Sequence, residues 1–187
     1  MNEEVQFYID EAQEGMDKAI HHLQVELAKI RAGKASTAML DGIRADYYGA
    51  LTPLSQIASV NTPDPRTLVI QPWEKSALNA IEKAIINSNL GLNPSNDGTM
   101  IRINVPPLTE ERRRDLVKRT KGEGETAKVS VRNIRRDANE AIKKLQKDGV
   151  PEDMVKDGEA KVQQITDKYI AKVEEVLGVK EKEIMTV

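Results

Sequence analysis

The sequence predicts a mainly helical α+β protein in which a small α/β domain is inserted into an elongated three-helix bundle. Three observations lead there. Apolar residues recur at helical spacing through one long N-terminal segment and two long C-terminal ones; the stretch after the first carries short β-like runs between glycines and prolines; and Val105-Pro106-Pro107-Leu108 closes that stretch in extended backbone. At 187 residues the chain can build two small units, and with only 3% aromatics their cores must come from Leu, Ile, Val, Ala and Met.

In the first segment Ile9, Met16, Leu23 and Ile30 recur every seven residues, with Val5, Ala12 and Ala19 four places before the first three and Ile20 and Leu27 widening the stripe. The helix is expected to end near Gly33, because Arg31-Ala32-Gly33-Lys34 sets cations in a last turn and a glycine beyond it. Residues 43–49, 57–61, 66–71 and 100–104 read as strands. Ser76 reads as the cap of a short helix carrying Leu78, Ile81, Ile85 and Ile86, followed by turns at Gly91, Asn93-Pro94 and Asp97-Gly98. Tyr47, Tyr48 and Trp73 offer rings for base stacking, but as the main aromatics of a small domain they are expected in its core.

Helix resumes after Pro107 at Thr109-Glu110-Glu111 and runs to Lys147, where Asp148-Gly149-Val150-Pro151 stops it. A last helix from Pro151 carries Val155, Val162, Ile165, Tyr169, Val173 and Val176 on one side. The expected division is 1–31 with 108–187 for the bundle and 35–104 for the inserted domain, joined by Ala32-Gly33-Lys34 and Val105-Pro106-Pro107. Two connections restrict twisting yet permit bending, so these six residues are candidate hinges; prolines as rigid boundary marks are the other reading.

Composition removes most enzyme chemistry. With no cysteine there is no disulfide, thiolate metal site or cysteine nucleophile. His21 and His22 are neighbours on a helix and diverge, and no pair of carboxylates has a spacing that separates a general acid from a base. Gly122-Glu123-Gly124 sits within a helical pattern, with no preceding strand and no following Lys-Ser or Lys-Thr, so it is not a phosphate-cradling loop. Two glycines there mark a close helix contact or a soft point. No run is long and apolar enough for a membrane span, and the acidic start lacks the features of a signal or transit peptide. The expectation is a cytoplasmic, non-enzymatic, monomeric protein without cofactor, metal, membrane or small-molecule substrate.

Charge points to a partner. Residues 1–31 carry seven acidic and three basic side chains, residues 106–150 eight and thirteen, and residues 151–187 nine and six. On a wheel of the second long helix Lys121, Lys128, Arg132, Arg135, Arg136, Asn139 and Lys143 share one side, while Leu116, Ala127, Val131, Ile134, Ala138, Ala141, Ile142 and Leu145 gather on another. Arginine binds phosphate through a bidentate fork, and three within five positions suit a polyanion held along one face. Arg112-Arg113-Arg114 stands in the first turn, where the helix dipole disfavours cations, so these too call for an anion, within the chain at Glu110 and Glu111 or outside it. A solvated face paired with acidic neighbours, or a coiled-coil adaptor docking an acidic protein, accounts for the same stripe.

Particular runs then bear a resemblance. They are Lys29-Ile30-Arg31-Ala32-Gly33-Lys34-Ala35-Ser36, Tyr47-Tyr48-Gly49, Leu90-Gly91-Leu92-Asn93-Pro94, Pro106-Pro107-Leu108-Thr109-Glu110-Glu111-Arg112-Arg113 and Val131-Arg132-Asn133-Ile134-Arg135-Arg136-Asp137-Ala138-Asn139. In order and spacing the chain resembles the bacterial ribosome recycling factor family over nearly its whole length. The resemblance implies an L-shaped molecule of transfer-RNA size, binding to post-termination ribosomes through large-subunit rRNA, and subunit splitting driven by elongation factor G and GTP. It makes Arg132 and Arg135 the foremost RNA contacts, with Arg31 and Arg113 next. At Lys34 the family commonly has arginine, so the charge is kept and the bidentate fork lost.

Overall fold

The computed structural model describes residues 2–88 and 90–186. The elements in chain order are α1 (Glu3–Ala28), β1 (Arg44–Tyr47), β2 (Ala50–Pro53), β3 (Ala58–Asp64), β4 (Thr67–Pro72), α2 (Leu78–Ile86), β5 (Pro94–Asn96), β6 (Ile101–Asn104), α3 (Glu110–Lys147) and α4 (Glu152–Met185). They form two units, Met1–Ala32 with Glu110–Val187, and Gly33–Thr109.

The first unit is a bundle of α1, α3 and α4. Asn2 caps α1, its side-chain oxygen accepting from the N–H groups of Glu4 at 2.8 Å and Val5 at 3.3 Å. The helix stops at Ala28, short of the expected end near Gly33. The N–H groups of Lys29 and Ile30 turn back to the carbonyls of Glu26 and Leu27, which tightens the last turn, so Gly33 with its φ of +76° falls in the linker. The turn between α3 and α4 follows the sequence: Gly149 takes φ +106°, the N–H of Val150 donates to the carbonyl of Leu145, and extended Pro151 opens α4. Val5, Ile9 and Ala12 pack with Ile142, Leu145, Val155 and Val162, and Met16, Val131 and Tyr169 continue the core. Ile134 and Ala141, expected on the buried face of α3, are half-buried at its border.

Two glycines set the helix spacing. A Cβ on Gly124 would lie 3.0 Å from Leu177 Cγ with the methyl groups nearer still, and one on Gly158 would meet Val5 Cγ1 at 2.5 Å; Gly122 faces open space. Of the paired glycines in α3, only Gly124 is therefore a close contact.

The second unit is an antiparallel sheet in the order β3-β4-β6-β5, with α2 and the hairpin β1–β2 beside it. Alternation along β4 and β6 turns Leu68, Ile70, Ile101 and Ile103 inward, where Leu78, Ile81 and Ile85 of α2 complete the core. A 3-10 turn at Lys75–Ala77 precedes α2, so Ser76 is not its cap, and Ile86 is exposed. Both ends of the unit are tied to the β3–β4 turn: the N–H of Ala35 donates to the carbonyl of Pro65 at 2.6 Å and that of Val105 to Arg66 at 2.7 Å. Leu108 belongs to this unit instead of the bundle, because its side chain fills the space a Cβ on Gly33 would take.

The aromatic expectation needs correction. Tyr47 is half-buried against the core, but Tyr48 is 80% and Trp73 68% exposed, because Leu and Ile fill the interior. Tyr48 and Gly49 form the two-residue turn of the hairpin, and Tyr48, at φ +50°, is the non-glycine residue with positive φ among the described residues. A left-handed conformation at such a residue costs roughly 1–2 kcal/mol.

Gly122→Ala should raise thermal stability by about 1 kcal/mol through helix propensity, whereas Gly124→Ala should lower it by about 1–3 kcal/mol through overpacking against Leu177; thermal melts of both variants check the pair. Tyr169, 2% exposed and donating its hydroxyl to Asp17, has its pKa pushed up to about 12, first by burial and then by Asp17. Its ordinary value is 10.0, so the unfolded chain releases that proton first and stability falls as pH rises from about 10 toward 12. Tyr169→Phe removes this dependence, and denaturant melts at pH 9 and 11 should show a smaller alkaline loss than in the parent.

Candidate nucleic-acid interface

The long α3 presents the predicted cations, and the structure sorts them into different environments. Arg132 is exposed and pairs with no acid among the described residues; the same holds for Lys121. Arg136 is exposed and lies 3.7 Å from the carboxylate of its neighbour Asp137, a loose contact open to solvent. These three side chains keep their charge available to an outside anion.

Lys128 does not. Its side chain is 15% exposed, lies in ion-pair contact with Glu174 of α4 and has Glu125 at 3.7 Å. The hydrogen bond to Glu174 raises its pKa against the opposing effect of burial, with both acids adding attraction. Lys128 therefore stitches α3 to α4 with most of its charge already matched. Lys143 has a distant counterpart, Glu159 at 3.9 Å.

Arg135 is intermediate. One terminal nitrogen, Nη1, donates to Gln163 Oε1 of α4 at 3.3 Å, and Gln163 is itself held by Asp167 at 2.8 Å. Its Nε is buried without a hydrogen-bond partner, as are Asn139 Oδ1 and Glu159 Oε1, the last with only the distant Lys143 ammonium near it. The guanidinium is thus half-buried along the α3–α4 seam, and Nη2 stays free of protein partners. Such a group can hand one edge to a phosphate without leaving the helix.

In the arginine run at the start of α3, Arg114 pairs with Glu110 at 2.5 Å, whereas Arg113 is half-buried with no acidic partner among the described residues. Internal compensation accounts for Arg114 and leaves Arg113 open. Arg31 is exposed beyond the end of α1, and Ala32, Gly33 and Lys34 follow it without regular structure; Val105 is buried, Pro106 and Pro107 exposed.

Sequence reasoning missed the α4 residues Glu174, Gln163 and Asp167 that share this seam. A wheel of one helix cannot show a partner 46 residues away, although the excess of acids after residue 151 was the available signal. Among the described residues no cluster of His, Cys, Asp or Glu could hold a metal ion, and no helix is long and apolar enough to cross a membrane.

Known proteins resemble the chain throughout. The family model described as ribosome recycling factor matches residues 23–185. The ribosome-recycling factor of Phocaeicola vulgatus is 59% identical over 179 residues, covering 96% of each chain, and that of Bacteroides fragilis is 59% identical over 184 residues, covering 98% of this chain and 99% of the relative. A solution structure of a ribosome recycling factor is 42% identical with a TM-score of 0.73, each chain being covered completely. A second, described as the T. thermophilus factor with E. coli elongation factor G on the E. coli post-termination complex, is 48% identical with a TM-score of 0.60, covering 97% of this chain and 99% of that one. Matches of this extent, across both units, carry one conclusion: the chain belongs to the ribosome recycling factor family.

Proposed function

We propose that this chain is a translation factor that binds the post-termination ribosome through large-subunit rRNA and, together with elongation factor G and GTP, splits it into subunits, itself making and breaking no covalent bond. A related factor of 48% identity is described on a post-termination complex with elongation factor G, which supports the partners. The observation that carries the contact surface is the exposed, acid-free Arg132 flanked on α3 by Arg136, Lys121 and the half-buried Arg135. Ribosomal RNA offers a dense array of phosphates, and a stiff 38-residue helix can hold several cations in fixed register against it.

Arg113 and Arg31 extend the contact toward the linkers, and Asn139 contributes to the seam that orients Arg135. Lys128 serves RNA least, since Glu174 already takes its charge. Of the six candidate hinge residues, Ala32-Gly33-Lys34 and Pro106-Pro107 bend, while Val105, buried and bonded to Arg66, is the fixed edge of its linker as Ala35, bonded to Pro65, is of the other. The role implies a cytoplasmic protein acting as a monomer.

Arg132→Ala should weaken ribosome binding and reduce the slope of log affinity against log salt by about 1, with the melting temperature unchanged. Lys128→Met should do the reverse, lowering the melting temperature while retaining most of the affinity; equal affinity losses in the two variants would contradict the sorting of cations described above. Arg135→Ala should slow light-scattering decay of post-termination ribosomes in the presence of elongation factor G and GTP by about tenfold, the effect of losing one charge-assisted contact. Undiminished splitting by that variant would remove Arg135 from the contact surface, and no splitting by the parent chain would remove the proposed role.

A further inference from the structure

A long side chain serves a phosphate best when its guanidinium already points the right way, because orientation held in advance lowers the cost of binding. For Arg135 that orientation comes from α4. No acid pairs with it among the described residues; its hydrogen-bond acceptor is Gln163, whose Oε1 receives Nη1–H at 3.3 Å.

An amide side chain has two unlike ends, an oxygen that accepts and a nitrogen that donates. Turned over, Gln163 would set its own N–H groups against those of Arg135. Asp167 prevents this. It stands one turn further along α4, exposed, and an ionised carboxylate can only accept, so it takes the Gln163 Nε2 hydrogen at 2.8 Å. The oxygen of Gln163 is thereby left for Arg135. No ion pair joins Asp167 to Arg135 among the described residues, so the carboxylate acts on the guanidinium only through an uncharged amide.

The same seam holds polar atoms that stability does not require. Arg135 Nε, Asn139 Oδ1 and Glu159 Oε1 are buried with no hydrogen-bond partner. Asn139 lies one turn beyond Arg135 on α3, and Glu159 one turn before Gln163 on α4. Unpaired buried polar atoms cost stability, and apolar side chains at these positions would close the seam without that cost. The arrangement leaves the guanidinium one acceptor, enough to aim it and too little to withhold it from phosphate.

We propose that Gln163 and Asp167 are positioning residues for the RNA contact: Asp167 fixes the Gln163 amide, and Gln163 aims Arg135 so that its free Nη2 edge meets a phosphate of large-subunit rRNA at full charge. This rests on the ribosomal role proposed above and brings α4 into the binding of RNA.

One substitution separates positioning from bulk charge by sign. Asp167→Ala removes an acid from a chain that binds a polyanion, so charge alone predicts tighter binding to isolated large subunits at fixed salt. Positioning predicts the opposite, binding about fivefold weaker, the cost of fixing one long side chain at the moment of contact. Gln163→Met should lose about as much, whereas Asp167→Glu, which keeps the acceptor, should bind within about twofold of the parent. All three should melt with the parent, because both positions are exposed. In an Arg135→Ala background, Asp167→Ala and Gln163→Met should cost no further affinity, since they act only through that guanidinium. Tighter or parental binding by Asp167→Ala, a loss that follows a lowered melting temperature, or a loss that persists in the Arg135→Ala background would each overturn the positioning role and leave the RNA-binding role standing. Failure of the parent chain to bind large subunits would overturn that role instead.

Discussion

The close approach of three helices at positions with little or no side chain is the constraint on which the bundle rests. Leu177 sits over Gly124 and Val5 over Gly158, and Ala12, Ala127 and Ala138 are buried in the same interior. Close backbones leave little room for polar groups. The two buried threonines, Thr120 and Thr166, satisfy their hydroxyls within their own helices, donating to the carbonyls of Leu116 and Val162 at 2.8 Å each. No cross-helix hydrogen bond is required of them. The bundle can therefore be held by packing, and the outward face of α3 is released from structural duty.

That release decides which cations stay unmatched within the chain. A charge at the edge of the seam, such as Lys128, is reached by α4 and matched by Glu174. A charge centred on the outward face, such as Arg132, has no helix opposite it. The acids of α4 approach only the flank of α3, where Gln163 touches Arg135 without cancelling its charge. A neutral amide there directs the guanidinium by a hydrogen bond and leaves its charge unneutralised, which a carboxylate would not.

The three helices and their apolar faces were legible because each depends on spacing within one segment. The 38-residue length of α3 followed from prolines before it and Gly149-Val150-Pro151 after it. What failed depended on distant pairing. Asn93-Pro94 reads as a turn, yet Pro94–Asn96 becomes edge strand β5 through its partner β6, and β2 is the return arm of a hairpin whose turn is Tyr-Gly in place of the usual Asn-Gly. Gly33 does carry the positive φ expected of it, but in the linker against Leu108. At the site, exposure of Arg132 was readable from the wheel, whereas the matching of Lys128 by Glu174 was not.

The aromatic residues yield the sharper lesson. Tyr47, Tyr48 and Trp73 were expected inside because large rings bury much apolar area, yet a unit with Leu68, Ile70, Ile81, Ile101 and Ile103 has a complete core without Tyr48 or Trp73. Once the core is closed, an exposed ring in a strained turn needs a different explanation. It is fixed from outside the core: the Tyr48 hydroxyl donates to Glu74, 26 residues along the chain, and the ring edge meets Tyr47. Residues 32–105 carry equal numbers of acids and bases, in contrast to the excess of bases in residues 106–150, so the two units differ in charge as well as in fold. The strained turn is therefore held by one hydrogen bond and one ring contact at the surface, and neither draws on the packing that holds the unit together.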